Sequence, residues 1–136
     1  MKIFIDTNVF LRFLLKDDPD SYEEVVKLFE LVEEGKVKPY TSNIVILEII
    51  YVLVKTLKIS RTEVLRDIQD LFSMRGLIIL EKTNTKEALK IFKQTGVKFA
   101  DCLIATQIKS GTQLCTYDKE FFKIRSVKLC KPGDFV

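Results

Sequence analysis

Lys2-Ile3-Phe4-Ile5-Asp6-Thr7-Asn8 carries a short apolar run that stops at a carboxylate. The run reads as a core strand, and Asp6 marks its carboxyl end. A short helix is expected from about Val9 to Leu15, broken by Lys16-Asp17-Asp18-Pro19-Asp20. The next helix is well marked. Asp20 or Ser21 can cap it, Tyr22, Val25, Val26, Phe29 and Val32 recur at helical spacing, and Gly35 stops it. Val37 to Thr41 follows as a second strand. Strand then helix then strand is the unit of a parallel sheet.

The same alternation continues to the end of the chain. Ser42 or Asn43 can cap a helix running to about Leu57. Ile44-Val45-Ile46-Leu47 has strand character, but the length of the apolar segment favours a helix. It is apolar nearly all round, so it should be covered on several sides, in part by a second subunit. Ser60-Arg61-Thr62-Glu63 has capping-box form and opens a helix with Val64, Leu65, Ile68, Leu71 and Phe72. Leu77 to Leu80 is a third strand. Helices are expected from Asn84 to Thr95 and from Lys98 to Lys109, closed by Gly96 and Gly111. Gln113 to Thr116 is a fourth strand, with a helical turn after Asp118, and Ser126 to Leu129 is a candidate fifth. Right-handed crossovers then give one three-layer α/β/α sandwich with a parallel sheet of four or five strands. No Pro-, Gly- or Ser-rich linker divides residues 1–136, so a single domain is expected.

Composition narrows the chemistry. Hydrophobic residues make up 47% and charged residues 30%, a balance that supports a folded core. The longest apolar run, Ile44 to Val54, contains Glu48 and is too short to span a bilayer. No signal peptide is seen, and a cytoplasmic location without membrane association is expected. The net charge of +3 permits a nucleic-acid partner if the basic side chains share a face. Cys102, Cys115 and Cys130 show no CxxC spacing and read as small buried hydrophobes. There is no histidine, which removes Ser-His-Asp and Cys-His catalysis and the usual zinc sites. The five glycines are scattered, so there is no phosphate-binding glycine loop.

Four carboxylates stand where surface charge is not expected. Asp6 ends the first strand, Glu48 interrupts the most apolar helix, Asp101 opens a helix and Asp118 follows the fourth strand. Each has a plain structural reading. Asp6 can cap a helix, Asp101 can complement a helix dipole, Asp118 can cap the turn Lys119-Glu120-Phe121, and Glu48 can pair with a lysine or arginine. Ligands of open parallel sheets bind at the carboxyl ends of the strands, near the reversal of strand order. If strands one and four are neighbours, the carboxylates gather there. Two charges about 4 Å apart repel by on the order of 4 kcal/mol at an effective dielectric of ~20. Such a cluster calls for a cation, and Mg²⁺ or Mn²⁺ suits oxygen donors and phosphodiester hydrolysis.

At these residues the chain resembles the PIN-domain family, including VapC-type toxins of bacterial and archaeal toxin–antitoxin pairs. The resemblance covers nearly the whole chain. It rests on Ile5-Asp6-Thr7-Asn8, on Glu48, on Phe99-Ala100-Asp101-Cys102-Leu103-Ile104-Ala105 and on Leu114-Cys115-Thr116-Tyr117-Asp118-Lys119-Glu120-Phe121, with Pro132-Gly133-Asp134-Phe135 at the close. It implies an Mg²⁺- or Mn²⁺-dependent endoribonuclease that leaves a 3′-hydroxyl, with RNA as substrate. Asp6 and Asp101 would be the central metal ligands, with Glu48 and Asp118 acting directly or through water. Asn8 and Thr116 match polar positions that orient the carboxylates. Thr7 matches one too, or serves plain turn chemistry. The resemblance further implies a homodimer formed through the helices after strand two, and an antitoxin partner where the toxin role holds. Tyr117 is a bulkier neighbour of Asp118 than the family pattern has. Arg12, Lys98, Lys119 and Lys123 flank the motifs and either contact phosphate or cover solvated faces.

Two other function classes are open to an α/β chain of this size. A non-catalytic RNA-binding or assembly module could use the same fold. A receiver or phosphotransfer domain would need an Asp after a middle strand with a Lys after the last, or a DxD pattern at the end of the first strand, where this chain has Asp6-Thr7-Asn8.

Overall fold

Ile3, Phe4 and Ile5 have no solvent exposure in β1 (Lys2–Ile5), the central strand of the fold. A strand buried on both faces is what a parallel sheet covered by helices requires. The computed structural model describes residues 1–136. β1 pairs in parallel with β2 (Lys38–Ser42) on one side and β4 (Thr112–Cys115) on the other. β3 (Ile78–Leu80) and β5 (Leu129–Cys130) form the edges, giving the order β3-β2-β1-β4-β5. The parallel α/β sandwich expected from the alternation is the fold that forms, with five strands.

Helices α1 (Thr7–Leu15) and α2 (Pro19–Glu33) join β1 to β2, and α3 (Asn43–Tyr51) and α4 (Arg61–Phe72) lead to β3. Helices α5 (Thr85–Thr95) and α6 (Phe99–Ala105) return the chain to β4. Strands β1 to β3 progress in one direction, and β4 and β5 lie on the other side of β1. Right-handed crossovers therefore put the intervening helices on opposite faces. The reversal falls between β1 and β4, which opens a crevice at their carboxyl ends.

Local chemistry explains most boundaries. Ser42 Oγ accepts from Ile44 N–H at 2.9 Å, Ser60 Oγ from Glu63 N–H at 3.3 Å and Asn84 Oδ1 from Glu87 N–H at 3.1 Å. Each bond satisfies one of the unpaired amides of a helix start. Gly96 closes α5 at φ 70°, a left-handed conformation that glycine adopts without penalty.

Elsewhere the structure corrects the expected bounds. α2 starts at Pro19 with Asp18 as its cap, because proline's fixed φ suits the first helical turn. α1 starts at Thr7 instead of Val9, since the Asp6 carbonyl already accepts Val9 N–H at 3.2 Å. α6 ends at Ala105, four residues short of Lys109. Thr106 Oγ1 turns back to the Leu103 carbonyl at 2.7 Å, and Gln107 Nε2 reaches the Lys82 carbonyl at 3.1 Å, which stops the helix. The apolar helix does extend to Thr56, but Val52–Thr56 winds as a π-helical turn, with Leu57 N–H on the Val52 carbonyl at 3.0 Å. β5 sits at Leu129–Cys130 instead of Ser126–Leu129, because Val127 N–H is spent in a turn on the Ile124 carbonyl.

The apolar helix divides its faces. Val45, Ile49 and Leu53 are fully buried, whereas Leu47 and Tyr51 are 66% and 63% exposed. No helix is long and apolar enough to cross a membrane. Cys102 and Cys115 are buried as expected, Cys130 is half-buried, and all three are free thiols.

Phe4 lies at the centre of the packed core. Phe4→Ala should cost about 3–5 kcal/mol through lost burial plus a residual cavity. Urea unfolding measures this directly, and a loss below about 1 kcal/mol would place the core elsewhere.

Candidate active site

The register that pairs Ile5 with Cys115 brings the ends of β1 and β4 side by side. Asp6 N–H extends the ladder by bonding the Cys115 carbonyl at 3.1 Å, so the first residue past each strand meets its counterpart. Those residues are Asp6 and Thr116, both buried. Thr116 Oγ1 donates to Asp6 Oδ2 at 2.7 Å. Asn8 Nδ2 lies 3.2 Å from both Asp6 Oδ2 and Thr116 Oγ1. Asp118 N–H donates to Thr116 Oγ1 at 2.9 Å, and Tyr117 N–H to Asn8 Oδ1 at 3.0 Å. The Thr116 hydroxyl is thus saturated, one bond given and two received. Asn8 and Thr116 hold Asp6 and the Asp118 backbone in one fixed arrangement.

Glu48 and Asp101 reach the same edge from helices. Glu48, on α3, accepts from Thr7 Oγ1 at 3.0 Å and from Lys98 Nζ at 2.9 Å. Thr7 therefore orients a carboxylate, beyond plain turn chemistry. Asp101, in the first turn of α6, has a side chain only 4% exposed. Its Oδ1 lies 3.9 Å from Lys98 Nζ, and its Oδ2 is buried with no hydrogen-bond partner. A buried carboxylate oxygen left unpaired costs free energy that a ligand can recover.

Electrostatics show that the four acids share one field. Burial, the largest influence, lifts the Asp6 pKa from 3.8 to about 6, against the Thr116 hydrogen bond, with Glu48 and Asp118 repulsion adding to the rise. Burial likewise lifts Asp101 to about 7; Lys98 opposes the rise, while Asp6, Glu48 and Asp118 reinforce it. Lys98 is itself held above the usual lysine value. Burial works against its charge, but the Glu48 bond and the neighbouring carboxylates outweigh that.

The plain readings of these residues divide. Asp118 Oδ1 does cap the turn that follows, accepting from Glu120 N–H at 2.9 Å. Asp6 occupies the cap position of α1 but makes no side-chain cap bond, because its carboxylate is turned toward Thr116 and Asn8. The cation expected as a possible partner of Glu48 is Lys98. Spacing alone could not find it, since the residues are 50 apart in sequence; its position three before Asp101 was the available signal. Tyr117 packs away from the carboxylates. Its hydroxyl donates to Glu24 Oε1 at 2.9 Å, and Arg12 lies over its ring. Arg12 also pairs with Asp18, and Lys123 with Glu120, as solvated faces would.

Concavity and chemistry coincide only in part. A groove of about 770 Å³ lies between α1, α2 and α4, with Phe13, Glu30, Glu33 and Asp70 in its walls. A second groove of about 600 Å³ starts at Thr116 and Asp118. The convergent carboxylates mark the site better than volume does.

The donors are all oxygen, which suits a hard divalent cation, and the unpaired Asp101 Oδ2 offers a free lone pair. The side chains as placed do not form a closed group of three or more ligands. Lys98 Nζ stands between two of the acids, so an ion would have to displace it. The residues fit a divalent ion on that condition.

The PIN-domain model matches residues 3–127. The chain belongs to the PIN-domain family, which is broadly a family of nucleases. Similar solved structures include VapBC2 from Rickettsia felis bound to a promoter DNA fragment, at 21% identity and a TM-score of 0.70, covering 96% of this chain and 98% of that one. FitAB bound to the IR36 DNA fragment is 23% identical with a TM-score of 0.67, covering 96% and 95%. PAE2754 from Pyrobaculum aerophilum is 17% identical with a TM-score of 0.65, covering 98% and 91%. At these identities the likeness shows the fold. No curated protein matches the sequence.

A raised carboxyl pKa binds its proton in the folded state while the unfolded chain has already lost it. Between pH 4 and 7 the folded protein thus holds more protons, and stability falls as pH rises. Asp101→Asn removes that contribution. In EDTA, the variant should gain on the wild type by at least about 1 kcal/mol from pH 4 to pH 7. Denaturant unfolding across that range measures it, and a constant difference would contradict the raised value.

Proposed function

We propose that this chain is a metal-dependent endoribonuclease acting with Mg²⁺ or Mn²⁺. The observation that carries the reading is Asp101: a buried carboxylate with one unpaired oxygen, within electrostatic reach of Asp6, Glu48 and Asp118 near the sheet's switch point. Asp6 and Asp101 serve as the central ligands, with Glu48 and Asp118 contributing directly or through water. A divalent ion bound there supplies charge to the phosphoryl oxygens and acidifies a water near neutral pH.

The chain's own residues do the rest. Thr116 and Asn8 fix Asp6 Oδ2, so the carboxylate needs no reorganisation on loading. Thr7 fixes Glu48 Oε1 and leaves Oε2 as the oxygen that Lys98 holds. Glu48 or Asp118, both less buried than Asp6, is placed to accept a proton from the attacking water.

On its likeness to the VapBC2 and FitAB structures, we read the protein as the toxin of a toxin–antitoxin pair, with a protein partner that restrains it. The exposed Leu47, Ile50 and Tyr51 form the face of a homodimer, beside a groove of about 530 Å³ lined also by Val54, Leu65 and Ile68. Clustered apolar exposure of this kind marks an interface. A cytoplasmic setting accords with RNA as substrate.

One observation favours the second reading, a non-catalytic RNA-binding or assembly module with the same fold. Lys98 already compensates Glu48 and Asp101 without a metal. Cleavage of a structured RNA decides between the two. With Mn²⁺ the wild type should cut, EDTA should stop it, and Asp6→Asn should lose at least about 100-fold. Thr116→Val should lose about 10–100-fold. RNA binding without cleavage under either metal would support the module, and cleavage that survives both EDTA and Asp6→Asn would rule out the mechanism. For the assembly, Leu47→Glu with Tyr51→Glu should turn a dimer into a monomer by light scattering; a dimer that persists would move the interface elsewhere.

A further inference from the structure

Lys98 is the one cation that reaches into the acidic edge, and its surroundings are uneven. Its Nζ lies 2.9 Å from Glu48 Oε2 and 3.9 Å from Asp101 Oδ1, while its side chain remains 59% exposed. The carboxylates it bridges are far more enclosed, at 20% and 4%. Its root is rigid. The Lys98 carbonyl accepts from Asp101 N–H at 3.1 Å and from Cys102 N–H at 3.2 Å, and the residue caps α6. A flexible four-carbon stem on a fixed root can enter or leave the site without any movement of the backbone.

We propose that Lys98 is a tethered substitute for the divalent ion: its ammonium bridges Glu48 and Asp101 in the metal-free protein and is expelled when a metal binds. The proposal rests on the metal-dependent reading above. Three features support it. The ammonium stands where two prospective ligands converge. Asp101 Oδ2 stays unpaired, so the lysine satisfies the cluster only in part. The exposure of Lys98 gives its head a route to water, and a half-exposed ion pair is weak enough to break.

Two consequences follow from this geometry. In the metal-free protein the ammonium relieves repulsion among carboxylates that would otherwise push the ends of β1, β4 and α6 apart. In the presence of metal it is a competitor, so every binding event carries the cost of breaking the Lys98–Glu48 pair. Lys98 therefore sets the ion concentration at which the site fills.

The experiment is a calorimetric titration of Mn²⁺ into the whole protein, as wild type, Lys98→Met, Lys98→Arg and Lys119→Met, with melting in EDTA alongside. Lys98→Met should bind Mn²⁺ about fivefold more tightly, the upper end of what a partly exposed ion pair supplies. It should melt at lower temperature than wild type in EDTA, and the deficit should vanish in saturating Mn²⁺. Lys98→Arg should restore the wild-type affinity. Lys119→Met removes the same charge beside Asp118 and should stay within about twofold of wild type, because an exposed charge is screened. Equal tightening by both methionine variants would make the effect general charge and overturn the proposal. So would unchanged or weaker binding by Lys98→Met. If the wild type and all variants bind no Mn²⁺, the metal reading itself fails and this proposal with it. Binding by wild type with an unmoved Lys98→Met affinity removes the proposal alone.

Discussion

Mutual repulsion among Asp6, Glu48, Asp101 and Asp118, sharpened by the burial of Asp6 and Asp101, is the constraint around which the acidic edge is arranged. Like charges do not gather unless something holds them, and the holding here is visible atom by atom. Thr116 and Asn8 bind Asp6, Thr7 binds Glu48, the Asp118 backbone rests on Thr116, and Lys98 bridges Glu48 and Asp101. Each of these polar residues sits within two positions of a motif carboxylate or three before one. The motif is therefore a set of acids delivered together with their supports.

The sheet makes the delivery possible. Two strands far apart in sequence become neighbours because the order reverses between β1 and β4. Their carboxyl ends then present Asp6 and Thr116 in register, on backbone that is buried and hydrogen-bonded. α3 and α6 contribute Glu48 and Asp101 from adjoining positions, and the two helices pack against each other. Burial that stabilises the fold also raises the Asp6 and Asp101 pKa values. The protein thus keeps, near neutral pH, a site that favours either protons or cations over bare negative charge.

Much of this was legible in the sequence, for a physical reason. Apolar pattern, capping residues and segment length together placed α1 to α6 and β1 to β4, whereas β5 forms further along the chain than expected. The carboxylates stood out because each interrupts or ends an apolar segment. What the sequence could not convey lies in three dimensions. Nothing in the order of residues brings Lys98 to Glu48, nor turns Tyr117 toward Glu24 and Arg12. The early end of α6 depends on Thr106 and Gln107 finding backbone partners at Leu103 and Lys82, and the π-helical winding at Val52–Thr56 leaves no composition signal. Pro19 looks like a breaker in sequence, although proline both ends and begins helices; its role is decided by the chain that follows.

On the metal-dependent reading, Asp6 and Asp101 meet at one divalent ion. Anomalous diffraction from a crystal soaked in Mn²⁺ tests it most directly. A peak within about 2.0–2.6 Å of carboxylate oxygens from both residues is expected, with Lys98 Nζ withdrawn from Glu48. A peak bound elsewhere, or saturating Mn²⁺ with Lys98 still bridging Glu48 and Asp101, would contradict it.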